Sequence, residues 1–284
     1  VVIGRRLAQS GVEPATALGI RFAIAAAALG ALLGLRGVPR PARTVALRLL
    51  ALGAIGYAGQ STLFYLSLQR GTAATSILLF YAYPSLVCLI GWLALRERRP
   101  CRRTCAALAL SAGGTALVTT AAGPVAIDPL GVAFALGSAV VFALYVLAGQ
   151  RLATGCDAML TAACVAIGAA VASAGQGVVT RSLDVPEPGQ WTLLVAYGLL
   201  TAAAFTLMFA ALARLGARTT SVVMTLEAVF AVALATLLLG EPFGPGQAIG
   251  GAAVLAATAV VARIRAPHDP AGPPDSSPRP AASV

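Results

Sequence analysis

"MTLEAVFAVALATLLLGEPF", residues 224–243, places Glu227 in a run from Thr219 to Gly240 that contains no other charge. A run of about twenty apolar residues matches the ~30 Å hydrocarbon core of a bilayer at 1.5 Å of rise per residue. Working outward, similar apolar blocks lie at 14–35, 45–68, 73–95, 104–121, 129–152, 157–180, 190–213, 218–239 and 246–263. Hydrophobic residues make up 58% of the chain and charged residues 11%, with a mean hydropathy of +0.86. Soluble domains carry about 25% charged residues, so a soluble fold is excluded. Helices satisfy their own backbone in lipid, and ten-residue alternating strands of the barrel type are absent. The fold class is all-α, a polytopic membrane helix bundle.

The punctuation between blocks agrees. "RGVPRPAR", "RERRPCRR", "AAGPVAIDP", "DVPEPGQ" and "GEPFGPGQ" carry the Pro, Gly and charge that helix ends prefer. The net charge of +10 rests on arginine, with no lysine anywhere. These arginines sit between apolar blocks and not on one face, so they read as orientation signals and not as a nucleic-acid surface. "RERRPCRR" (96–103) fits contact with anionic lipid. Residues 264–284 are rich in proline and polar groups, and a disordered tail is expected there.

The two halves of the chain repeat. At an offset of 144, "LFYLSLQRGTAATSILLFYAYPSLVCLIGWLALRERR" falls on "LMFAALARLGARTTSVVMTLEAVFAVALATLLLGEPF". Arg70 meets Arg214, Thr75 meets Thr219, Leu95 meets Leu239 and Glu97 meets Glu241. With one more residue of shift, "GRRLA" (4–8) falls on "GQRLA" (149–153). A full helix precedes the second of these, but only Val1, Val2 and Ile3 precede the first. The expectation is five helices per repeat, ten in an intact protein, with most of the first helix missing here. The expected division is a first repeat over 1–121, a second over 129–263 and a tail over 264–284.

An odd number of helices per repeat inverts the second copy relative to the first. With an intact N-terminus inside, the inner segments hold fifteen arginines and the outer segments hold four, Arg5, Arg6, Arg70 and Arg181. That bias puts the C-terminus in the cytoplasm.

On these residues, together with "G-Q-x-I-G-G" after the second "LLLGE", the chain resembles the EamA-type branch of the drug/metabolite transporter superfamily. The likeness covers nearly everything but the tail. It implies a secondary transporter, by preference an exporter, of small metabolites, amino acids or drugs across the inner cell membrane. The family usually has a proline after the Glu of "TLEP". Here that place is Ala228, whereas the first copy keeps Pro84, so a stronger helix break is expected in the first half.

Two charges lie deep in the apolar blocks. Glu227 is nine residues past Arg218, about 13 Å in, and Arg21 is seven past Pro14, about 10 Å in from the other side. Such groups cost roughly 2.5–3.5 kcal/mol each on insertion scales, so they face a cavity or one another. Glu227 is the candidate substrate or cation site. Arg21 is the candidate structural or coupling charge, and the two are candidate partners. Gln60, Tyr65, Tyr81, Tyr83, Tyr145 and Phe209 complete the candidate substrate-binding group, with Tyr57 on the same helix as Gln60 and Tyr65. Tyr83 falls on Glu227 in the repeat register. Pro84 is the expected kink, because it removes a backbone donor near mid-membrane. Structural packing is the alternative for every member of the group.

The five cysteines show no CxxC pairing, and the single histidine, His268, lies in the tail, so no metal site or cofactor is expected. No acid–histidine pair, serine–histidine pair or lysine-bearing phosphate loop suggests an enzyme or an ATP-driven pump. The expected partners are a small-molecule substrate and the lipid bilayer, without nucleic acid; a homodimer is compatible with the sequence. The competing reading is a membrane interaction protein or membrane-embedded enzyme.

Overall fold

The structure, a computed structural model, describes residues 3, 7, 12–39, 41–70, 73–94, 99–121, 128–239 and 244–263. The "GRRLA" segment apart from Leu7, together with Glu97, Glu241 and the 264–284 tail, lies outside the described residues. In chain order the elements are α1 (Pro14–Arg36), α2 (Arg43–Ala51), a π-helical turn (Leu52–Tyr57) and α3 (Ala58–Leu68). There follow α4 (Ala73–Phe80), α5 (Tyr83–Leu93), α6 (Arg102–Ala121), α7 (Pro129–Ala153) and α8 (Ala158–Thr180). A short 3₁₀ turn (Pro188–Gln190) then leads to α9 (Trp191–Met224), α10 (Leu226–Leu239) and α11 (Pro245–Arg263). The described residues form no strand.

Local chemistry sets several helix ends. Pro14 opens α1, where a missing N–H costs nothing, and Gly37 closes it in the left-handed conformation (φ 63°). Asp128 caps α7 by accepting from the Gly131 N–H at 2.6 Å, and Asp157 caps α8 through the Leu160 N–H at 3.0 Å. Each carboxylate satisfies a first-turn donor that would otherwise stay unpaired. α1 and α8 begin and end 144 residues apart.

Three findings refine the sequence expectation. The block at 45–68 is one rod of α2 and α3, but it passes through the π-helical turn at Leu52–Tyr57. The block at 73–95 is split at Tyr81–Ala82, with Pro84 in the first turn of α5. Finally, α9 runs through residues 214–217, where a loop was expected, and ends at Met224, with Thr225 as its cap. The apolar stretch there spans 43 residues, Pro188–Phe230. A straight helix of that length would be about 64 Å long, twice the bilayer core, so it must double back. Gly216 (φ 76°, ψ 167°) marks the kink inside α9. Beyond it, the side-chain oxygen of Gln150 accepts from the Ala217 N–H at 2.7 Å. That bond replaces the partner lost at the kink, which lets two helices join without a loop.

Packing relies on small residues where helices touch. The main pairings are α1 along α8, α6 along α11, α3 with α7, and α9 with α1. Gly53 leaves room for the Val165 carbonyl, and Gly168 leaves room for the Leu50 carbonyl, so the rod and α8 approach reciprocally at backbone distance. Large apolar side chains such as Ile55, Val171, Leu207 and Leu237 point outward, as lipid-facing residues do. The described helices include five that are long and apolar enough to cross a membrane.

Candidate functional site

Two helices are broken at corresponding places. In the first copy the break falls at Tyr81–Ala82, and Ala82 has φ −67° and ψ −16°. In the second copy it falls at Thr225, 144 residues after Tyr81, with φ −65° and ψ −16°. Both breaks are one turn of tighter backbone: Ala82 N–H reaches Leu79 O, and Thr225 N–H reaches Val222 O, each at 3.1 Å. The expected asymmetry between the halves is therefore corrected. Lacking a proline, the second break is held by Thr225, whose hydroxyl donates to Val222 O at 2.6 Å and accepts from Ser111 at 3.0 Å.

Glu227 follows this break and sits in the first turn of α10, where the helix dipole favours negative charge. Its side chain is exposed. Its carboxylate is nonetheless within electrostatic reach of Arg21 and of Tyr57, Tyr81 and Tyr83. Those groups belong to α1, the rod, the Tyr81–Ala82 break and α5, which are all elements of the first half.

A continuous aromatic core joins the halves. Phe22 meets Tyr57 edge-on at 5.2 Å, Tyr57 meets Tyr145 at 5.7 Å, and Tyr145 stacks on Phe142 at 5.7 Å. Phe142 then meets Tyr83 edge-on at 4.8 Å, and Tyr83 lies 6.1 Å from Tyr81. Edge-on and offset pairs of this kind add to the apolar burial of the rings. Phe209 closes the cluster against Tyr145 at 6.3 Å.

Each sequence candidate now has a place. Tyr83 is buried, and its hydroxyl donates to Ser221 O at 3.2 Å, which ties α5 to α9. Tyr145 and Phe209 are fully buried, and the Tyr145 hydroxyl has no hydrogen-bond partner. Gln60 is buried, donates to Ser138 Oγ at 3.1 Å, and has its own carbonyl capped by the same hydroxyl at 3.1 Å. That pair fastens α3 to α7. Tyr65 stands apart: its side chain is 38% exposed and it enters none of the ring pairs of the core. Tyr65 is thus not joined to Tyr83 by a ring contact.

Arg21 also departs from expectation. The structure pairs it with tyrosines and not with Glu227: Nη1 donates to Tyr197 at 2.5 Å and Nη2 to Tyr57 at 3.2 Å. Among the described residues the ion pair is Arg70 with Asp128, at 3.2 Å and well exposed. Sequence reasoning missed Tyr197. A signal existed, since Tyr197 lies six residues inside α9 and Arg21 seven inside α1, both counted from the same expected side. Ser138 and Ser221 carried no such signal, because a serine in a small-residue helix looks like packing.

With this geometry in place, comparison with known proteins identifies the family. The EamA-like transporter family matches residues 1–120 and again 129–263. The chain belongs to the EamA-like transporter family. It is 30% identical over 212 residues to the threonine/homoserine exporter RhtA of Escherichia coli (strain K12), covering 72% of this chain and 67% of that protein. The RhtA of Escherichia coli O157:H7 matches to the same extent. A solved crystal structure shares the fold, with a TM-score of 0.79 at 22% identity over 89% of this chain and 90% of that one. The EamA-like chain is therefore a multi-pass membrane protein of a transporter family.

Proposed function

We propose that this chain is a secondary exporter of small metabolites of the amino-acid class, working by alternating access, and is not an enzyme. One observation carries the reading. An exposed carboxylate, Glu227, lies in the first turn of a helix just past a break, within electrostatic reach of Arg21, Tyr57, Tyr81 and Tyr83 of the first half. A carboxylate facing lipid would be unsolvated, whereas one lining a wet opening between the halves is stable and useful. Broken helices at mid-membrane are where secondary transporters hold substrates and coupling ions. Glu227 is then the recognition or coupling group, with Tyr81 and Tyr83 shaping the same opening. The printed activity of RhtA, export of threonine and homoserine, supports the amino-acid class.

Inverted halves, residues 1–121 and 129–263, are the frame for this cycle; the 144-residue offset between α1 and α8 supports it. The arginine bias favours the inner membrane and a cytoplasmic C-terminus. Labelling of the exposed Cys101 thiol from the outside alone would reverse that orientation. The scattered arginines leave no face for nucleic acid, and a homodimer stays compatible. The membrane-enzyme alternative gains no support from the site, which brings no acid–base pair together among the described residues. The test is export in cells. Overexpression should raise external threonine or homoserine and resistance to their excess, and deletion should lower both. Equal export from both strains across an amino-acid panel would refute the reading.

A further inference from the structure

Arg21 is a buried cation among uncharged neighbours. Its side chain is 8% exposed, and its Nε has no hydrogen-bond partner. The guanidinium lies 4.3 Å from the Phe22 ring and 4.6 Å from the Tyr197 ring. Its two hydrogen bonds go to phenols, and among the described residues no carboxylate is within ion-pair distance of it. A guanidinium presents five donors in a planar fork that matches a carboxylate edge to edge. Two neutral hydroxyls use that fork poorly and leave the charge unneutralised, a costly state for a buried ion.

The two phenols also stand on different halves. Tyr57 ends the π-helical turn in the rod, and Tyr197 belongs to α9. Arg21 on α1 therefore ties the first half to the second. Glu227 is within electrostatic reach but is not in contact. We propose that Arg21 is the receptor for the carboxylate of the transported molecule, and that this carboxylate displaces the Tyr197 hydroxyl and so unties α1 from α9. The fitting ligand is a small α-amino acid, with its carboxylate on Arg21 and its ammonium toward Glu227. Binding thereby removes a bond between the halves at the step where they must part. The proposal rests on the exporter reading above and gives its site a second charged pole.

The experiment measures binding to the purified chain in detergent, with L-threonine and L-homoserine as probes and L-threoninamide as the control lacking a carboxylate. At least one of the two amino acids should raise the melting temperature of the wild type, and threoninamide should not. Arg21→Gln should abolish the shift, and Arg21→Lys, which keeps the charge but loses the fork, should weaken binding by at least tenfold. Tyr197→Phe decides between a receptor and a merely structural arginine. Removing the competing hydroxyl, a hydrogen bond to a charged group, should tighten amino-acid binding by about tenfold. Unchanged or weaker binding by Tyr197→Phe overturns the proposal, even where Arg21→Gln does not fold. So does equal binding of threonine and threoninamide, or the absence of any shift in the wild type. Carboxylate-dependent binding in a chain that moves no amino acid in vesicles would instead count against the exporter reading and sustain the receptor.

Discussion

Glu227 and Tyr83 occupy matching places 144 residues apart, yet they solve the problem of polarity in a membrane differently. Tyr83 is buried and spends its hydroxyl on the Ser221 carbonyl. Glu227 is exposed and stays within reach of groups from the other half. Glu227 stands out in the sequence because a lone charge in an apolar run is costly whatever the fold. The partner of Arg21 was not legible, because a tyrosine has many ordinary roles and only the folded path brings Tyr197 to α1. Thr225 shows the same limit, since its part in holding the second break depends on Ser111 from α6. Thr225→Val should strand the buried Ser111 hydroxyl and leave the Val222 carbonyl with the Thr225 N–H alone. The expected cost is about 1–3 kcal/mol, read as a lower melting temperature in detergent together with slower transport. An unchanged melting temperature would show that the break is held by something else.

At the scale of elements, apolar runs and their punctuation fixed most helix ends within a residue or two, as at Pro14–Arg36 and Ala158–Thr180. The misread places share a cause. At the α9 kink a distant group satisfies the backbone, at the π-helical turn distant helices pack against it, and no local pattern records either. Gln150 supplies the bond at Ala217, and the π-helical turn packs Gly53 and Gly56 against Val165 and Tyr145. The rod and α8 can lie this close only because Gly53 and Gly168 lack a Cβ. Gly168→Ala would drive a methyl into the Leu50 carbonyl, a backbone atom that cannot swing aside. Overpacking of this kind costs about 1–3 kcal/mol, so thermal unfolding should shift down clearly while the helical signal of the folded state persists. A Gly168→Ala chain as stable as the wild type would mean that the two helices are not in backbone contact.

For the whole molecule, exposed leucines and isoleucines outside and small residues, tyrosines and the Arg21 guanidinium inside describe a bundle with a polar interior. The polar ties between the halves are individually modest; they include Arg21 to Tyr197, Gln60 to Ser138, Thr62 to Gln176, Ser111 to Thr225, Tyr83 to the Ser221 carbonyl, and Thr16 to the Ser182 carbonyl and the Asp184 N–H. Halves joined by a handful of exchangeable bonds can separate and rejoin, which is what alternating access requires. The central claim is that Glu227 serves transport and not assembly. Its most direct test is gradient-driven uptake of threonine and homoserine into proteoliposomes, comparing wild type with Glu227→Gln at equal insertion and equal melting temperature. The account predicts active uptake by the wild type and loss of at least nine-tenths of it in Glu227→Gln, a change worth about 1.4 kcal/mol or more in the rate-limiting barrier. Undiminished uptake by a stable Glu227→Gln chain would contradict it.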